Sequence, residues 1–383
     1  MLQLRRSTGL LVVLGVVGLV SAGCSGGDSA SSSNDVDGSA SGSDGGGGTN
    51  DGSTGGDGGA GGNDAGRTDA GGGGGNDAGG GGNDGGGGGN DGGGGGNDSG
   101  GGGGAIKTVF LIVMENHNWS SIKGNASAPY INGLLATGAH AESYYDNPAA
   151  AHPSEPNYLW LEGGDNFGIL NDGTVAANHK ATTNHLVTLL AAANVTWRTY
   201  VEGISGNNCP ITSSGLYATK HTPMIFFDDV VGNPPSAANA NCKAHVRPYT
   251  ELAGDLTNNA VARYNFITPD LCNDMHNSSG CATNDPVKNG DTWLAAEVPK
   301  ILASQAYANN GAIFITWDES EGGENPIGMI VLSPKAKVGY ANTATKYYHS
   351  SMLRTVQEIF GVTPLIADAA NQPSLSDLFT SYP

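Results

Sequence analysis

Positive charge is scarce in this chain of 383 residues: 17 Lys and Arg stand against 36 Asp and Glu, a formal net charge of −19. There is no basic run, which argues against a nucleic-acid partner. A long apolar run is missing too. Gly9 to Val20, behind Arg5 and Arg6, is too short and wrongly flanked for a stable membrane span, and residues 1–23 read instead as a secretory signal. Residues able to form a core are almost absent from 24–104, a segment of Gly, Ser, Asn and Asp that holds most of the chain's 64 glycines. Such a composition predicts a flexible, disordered linker. Its twelve Asp and single Arg account for 11 of the 19 net negative charges, so the acidity says little about a substrate.

Cysteine is also rare: Cys24, Cys209, Cys242, Cys272 and Cys281. The stretch Val20-Ser21-Ala22-Gly23-Cys24 looks like a bacterial lipobox, in which the cysteine carries lipid after cleavage. Lipidation of Cys24 turns an odd total into an even one and leaves four cysteines for two disulfides in an exported protein. The pairing local in sequence is Cys209 with Cys242 and Cys272 with Cys281, but four cysteines allow three connectivities. The expected location is outside the cytosol: a lipoprotein anchored to the bacterial outer membrane or cell surface, otherwise a secreted protein.

Residues 105–383 have ordinary composition and are enough for one large domain with its own core. Val109–Met114 has no polar alternation and predicts a buried strand. A helix is expected around Pro129–Thr137, closed by Gly138, and another over Asn184–Ala193. Strands follow at Val195–Val201 and Tyr264–Thr268; Asp291 is expected to cap a helix running towards Ala306. Ala312–Trp317 reads as a further strand, Ile327–Leu332 is another apolar run, and Ser350 reads as the cap of a helix over Ser351–Phe360 that Gly361 ends. Repeated alternation of strand and helix implies an α/β fold, a mainly parallel sheet covered on both faces. Such sheets bind ligands at the carboxyl ends of their strands.

That rule singles out two strand ends. The first buried run stops at Glu115-Asn116-His117, and AIFITW stops at Asp318-Glu319. Two strands delivering oxygen donors to one edge suggest a hard or borderline divalent cation. Between them Ser154, in HPSEPNYLWL, stands before an apolar run that reads as a helix, where backbone N–H groups and the positive end of the dipole receive anions. Composition alone makes Ser154 a helix cap.

The order and spacing of several segments resemble the phosphoesterase family of bacterial phospholipases C and acid phosphatases, a branch of the alkaline phosphatase superfamily. They are VFLIVMENHNW, HPSEPNYL, Lys220-His221-Thr222-Pro223, ITPDLCNDMH, DTWLAAEVPKIL, ITWDE, IVLSPKAK and YHSSMLRTVQEIFG. The resemblance implies a three-layer α/β/α sandwich and makes Glu115, Asn116, Asp318 and Glu319 metal ligands. It makes Ser154 the metal-bound nucleophile. His221 and His276 are the expected phosphate-contacting or proton-transferring residues. Asp274, His349 and His152 are further candidates for phosphate contact or a second metal, with one metal site expected. His117 is expected to play a supporting part. Ser320 to Ile327 lacks the histidine typical of the large phospholipases C after this segment, and their extra C-terminal domains are missing. These departures favour a phosphomonoesterase acting through a phosphoseryl intermediate on a small phosphate ester. Phospholipase C action on head groups remains open, as does a catalytically inactive surface binding protein, which the intact Glu115, Asn116, Ser154, Asp318 and Glu319 set argues against. No protein partner is expected; the membrane is reached through lipid at Cys24.

Overall fold

A computed structural model describes residues 105–148 and 151–383. The signal, Cys24 and the linker lie outside the described residues. Among the described residues there are ten strands: β1 Thr108–Met114, β2 Ala139–Ala141, β3 Tyr144–Tyr145, β4 Trp197–Val201, β5 Val246–Pro248, β6 Tyr264–Thr268, β7 Gly311–Trp317, β8 Met329–Leu332, β9 Ala341–Asn342 and β10 Tyr347–Tyr348. Eight of them form one sheet in the order β5-β4-β6-β1-β7-β8-β2-β9, and β3 pairs with β10 separately. Within the large sheet β8 alone runs against its neighbours, β7 and β2; the other pairings are parallel.

The uninterrupted apolar runs sit at the centre because both of their faces are covered. Every residue of β7 is buried, and so is every residue of β1 after Thr108. The helix Ser154–Gly163 packs with His349–Phe360 and Leu186–Ala192, while Pro129–Thr137 packs with Pro286–Leu302. The result is an α/β sandwich around a mainly parallel sheet. Register then positions the site. Met114 pairs with Trp317, so β1 and β7 leave the sheet at the same level, and the next residues are Glu115 and Asp318. β6 lies on the other side of β1, and the loop after it brings the Asp274 carbonyl to the Glu115 N–H at 2.7 Å.

Several helix boundaries differ from the sequence expectation, each for a tertiary reason. The helix expected to start at Asp291 starts at Pro286, capped by Asp285, whose side chain accepts from Lys288 N. Asp291 is buried inside it and caps a different helix, accepting from Ile131 N at 2.8 Å and Tyr130 N at 3.3 Å. Gly138 is extended rather than left-handed; a Cβ there would stand 2.5 Å from the Val331 carbonyl, so close packing requires the glycine. The last long helix begins at His349 with Tyr348 as its cap, so Ser350 lies within it; Gly361 ends it at φ 66° as expected. Both disulfides are local in sequence, Cys209–Cys242 and Cys272–Cys281. Among the described residues no helix is long and apolar enough to cross a membrane.

Candidate active site

Ser154 is the first residue of its helix, after Pro153. The helix repeat sets Tyr158 one turn on, on the same face, and both side chains reach the end of β1. Ser154 Oγ donates to Glu115 Oε2 at 3.2 Å, and Tyr158 OH donates to Glu115 Oε1 at 2.6 Å. The Tyr158 ring stacks on His221, whose Nε2 is 3.0 Å from the same Oε1 and whose Nδ1 is 3.3 Å from Asp274 Oδ2. Glu115, His221 and Asp274 offer ligand atoms that all lie within 4.8 Å of one another. Asn116 holds a left-handed φ of 38°, a conformation asparagine tolerates better than most residues, and its N–H donates to Asp318 Oδ1 at 3.0 Å.

Three buried atoms here, Asn116 Oδ1, Asp318 Oδ2 and His276 Nδ1, make no hydrogen bond among the described residues, and His221 Nε2 and Asp274 Oδ2 stand close to Glu115 and His221 without making one. Single atoms of this kind occur elsewhere in the described residues, but here several are gathered around one carboxylate, which suits a place where something else binds. Charge says the same. Burial, Asp318 and Asp274 push Glu115 well above the ordinary carboxyl range, and burial and Asp318 likewise raise Asp274. Burial lifts Asp318 to about 6; burial and Asp318 lift Glu319 to about 9. Burial, Lys220 and His276 hold His221 neutral, well below its usual range. Neutral imidazole and crowded carboxylates with unpartnered oxygens are the donor chemistry of a divalent cation.

The other expected site residues are spread around this centre. Glu319 Oε2 accepts from Asn157 Nδ2 at 3.1 Å and lies 3.0 Å from His152 Nδ1. The His276 N–H donates to Asp274 Oδ1 at 2.7 Å, and its ring centroid is 6.1 Å from that of His221. Both nitrogens of His349 are engaged, Nε2 by the Asp318 carbonyl at 2.5 Å and Nδ1 by Tyr144 OH at 3.2 Å, and burial lowers it to about 4. His117 Nδ1 pairs with Glu321 at 2.8 Å at the rim. Sequence reasoning missed Tyr158, although its place four residues after Ser154 was the available signal. It also separated Asp274 and His221 from Glu115, which the fold brings together.

The sequence profile of the Phosphoesterase family matches residues 125–363. This chain belongs to the Phosphoesterase family. The phosphoesterase is therefore a hydrolase of phosphoric esters. It is 31% identical to a phosphatidylinositol-3-phosphatase of Mycobacterium tuberculosis over 272 residues, 71% of this chain and 82% of that one. It is 28% identical to a probable acid phosphatase of Kluyveromyces lactis, over 66% of this chain and 58% of that longer protein. Among solved structures, a protein of the alkaline phosphatase superfamily from Vibrio parahaemolyticus aligns with a TM-score of 0.46 at 12% identity, over 72% of each chain.

Proposed function

We propose that the phosphoesterase is a metal-dependent phosphomonoesterase in which Ser154 attacks phosphorus and carries the phosphoryl group as a phosphoserine. The observation that carries this reading is the hydroxyl of Ser154 at a helix start, bonded to a buried Glu115 that is surrounded by unpartnered donor atoms. Glu115, Asn116 and Asp318 would hold the metal, with His221 and Asp274 close enough to share in it. When bound there, a divalent cation neutralises phosphoryl oxygens and lowers the cost of forming the serine alkoxide.

The chain's own groups do the rest. The hydrogen bond to Glu115 orients Ser154 Oγ, and the first N–H groups of its helix favour the negative charge of the bound ester. A bond forms from Oγ to phosphorus as the bond to the ester oxygen breaks, and the proton given up by Oγ leaves on the departing alcohol; water then cleaves the phosphoserine to phosphate, and a water proton restores the hydroxyl. Burial followed by the charge of Lys220 lowers His276 and keeps it neutral, so its Nδ1 can take the proton of that water. The names of the relatives support monoesters over diesters. A monoester on a lipid head group is a second substrate reading, supported by the phosphatidylinositol-3-phosphatase relative and by the expected lipid at Cys24. The two disulfides support an oxidising compartment for the folded domain.

The test is turnover of an aryl phosphate before and after exhaustive chelation, with metal returned, beside the Ser154→Ala protein. Chelation is expected to remove activity and added divalent metal to restore it. Undiminished turnover by the stripped protein, or by Ser154→Ala, would overturn the reading.

A further inference from the structure

Six carboxylates crowd the site and its margin: Glu115, Glu155, Asp172, Asp274, Asp318 and Glu319. Lys220 is the cation set among them. It shares the turn Thr219–His221 with the histidine that reaches Glu115. Its Nζ donates to Asp172 Oδ2 at 2.7 Å, and Asp172 Oδ1 accepts from Glu155 N at 3.0 Å. Glu155 follows Ser154, so a closed circuit runs from Ser154 through Glu115, His221, Lys220 and Asp172 back to the residue beside the nucleophile. Glu155 is itself held, accepting from Gly173 N at 2.8 Å and Asn178 Nδ2 at 2.7 Å. The Lys220 and Asp172 side chains are 23% and 30% exposed, so the pair beside the Ser154 helix start is open in part to solvent.

A lysine tied to one aspartate keeps further N–H donors, because an ammonium has three.

We infer that Lys220, steered by Asp172, is the side chain that binds the outer oxygens of the substrate phosphate at the mouth of the site. The assignment rests on the reading of the Ser154 centre as a phosphoryl-transfer site and adds the group that selects for the doubly charged phosphate of a monoester. A phosphate arriving beside so many carboxylates needs a fixed positive charge on its path as well as at its destination. The tether to Asp172 keeps that charge from collapsing onto Glu115 or Asp318.

The experiment measures the inhibition constant of inorganic phosphate, and KM and kcat for an aryl phosphate, in full-length wild type, Lys220→Met, Lys220→Gln and Lys220→Arg, with melting temperatures. Loss of a charged hydrogen bond is expected to raise the phosphate inhibition constant about 10- to 100-fold in Lys220→Met and Lys220→Gln, with KM rising in parallel. Lys220→Arg, which keeps the charge, is expected to stay closer to wild type than either. An unchanged inhibition constant in whichever neutral variant folds overturns the assignment. Calorimetric titration of phosphate into Ser154→Ala and into Ser154→Ala with Lys220→Gln separates the two readings. Should Ser154→Ala keep its turnover while loss of Lys220 weakens phosphate, the nucleophile reading falls and the phosphate contact stands. Should Ser154→Ala be inactive while phosphate binds both proteins equally, only the Lys220 assignment falls.

Discussion

The helix Ser154–Gly163 ends in two buried carboxylate and histidine clusters that have opposite electrostatics. At its start, Ser154 and Tyr158 meet Glu115, His221 and Asp274. At its end, eight residues after Ser154 on the same face, Glu162 accepts from His185 Nδ1 at 2.8 Å and Val187 N at 2.8 Å. His185 Nε2 lies 2.9 Å from Asp229 Oδ1, and its ring stacks on Phe227 at 3.8 Å. Burial opposes its charge, but its hydrogen bonds to Asp229 and Glu162 hold His185 up to about 9. His221, equally buried, is driven well below its ordinary value. One cluster holds a protonated imidazole between its carboxylates, although Glu162 is raised by burial and its Oε2 has no partner. In the other the imidazole is neutral, several buried atoms make no hydrogen bond and the carboxylates are pushed towards protonation, so the balancing charge comes from outside. The same residue types therefore make a structural clasp at one end and a binding site at the other.

The largest effect that would sharpen the contrast is on catalysis. Ser154→Ala is expected to lower kcat/KM for an aryl phosphate by at least about 10³-fold, roughly 4 kcal/mol, with the melting temperature unchanged. A large drop in melting temperature would mean that the hydroxyl holds the fold. Next in size, His185→Ala should destabilise the protein by about 3–5 kcal/mol in urea unfolding, because it strands the Glu162 carboxylate in the interior and takes a partner from the partly exposed Asp229. A loss below 1 kcal/mol would break the contrast.

The clasp should also show in pH. The imidazole of His185 titrates near 6.5 when unfolded and at about 9 when folded. Its contribution is fully present below about 6.5 and is lost as pH rises through about 9, at no more than about 1.4 kcal/mol per unit. Wild-type stability measured from pH 6.5 to 9.5 is expected to fall by more than that of His185→Ala, and equal slopes would remove the charged imidazole from the account. The smallest effect has the opposite sign. In metal-stripped protein, Glu115→Gln should raise stability by about 1–2 kcal/mol, since an amide relieves a crowded, buried charge, keeps an oxygen to accept from Tyr158 and can donate its NH2 to Ser154 Oγ. Destabilisation would mean that the site satisfies its own charge.

Much of the centre was legible because local patterns carry it. Apolar runs of central-strand length stop at acidic residues, and the ordered segments around Ser154 and His221 point to one chemistry. Asp291 and Gly138 were misread because their partners, the N–H groups of Tyr130 and Ile131 and the Val331 carbonyl, lie far away in sequence. His185 gave no signal of its own, since its two carboxylates stand 23 and 44 residues away.

Sequence by itself determined the α/β class, the strand ends that deliver Glu115 and Asp318, and the serine at a helix start. These follow from periodicity and from the rule that parallel sheets bind at their carboxyl edge. Tertiary structure alone decided which donors converge. The Met114 with Trp317 register, the loop after β6 and the turn carrying Lys220 and His221 bring Asp274 and His221 to Glu115. Convergence depends on distances across the sheet edge, and spacing along a chain does not fix those.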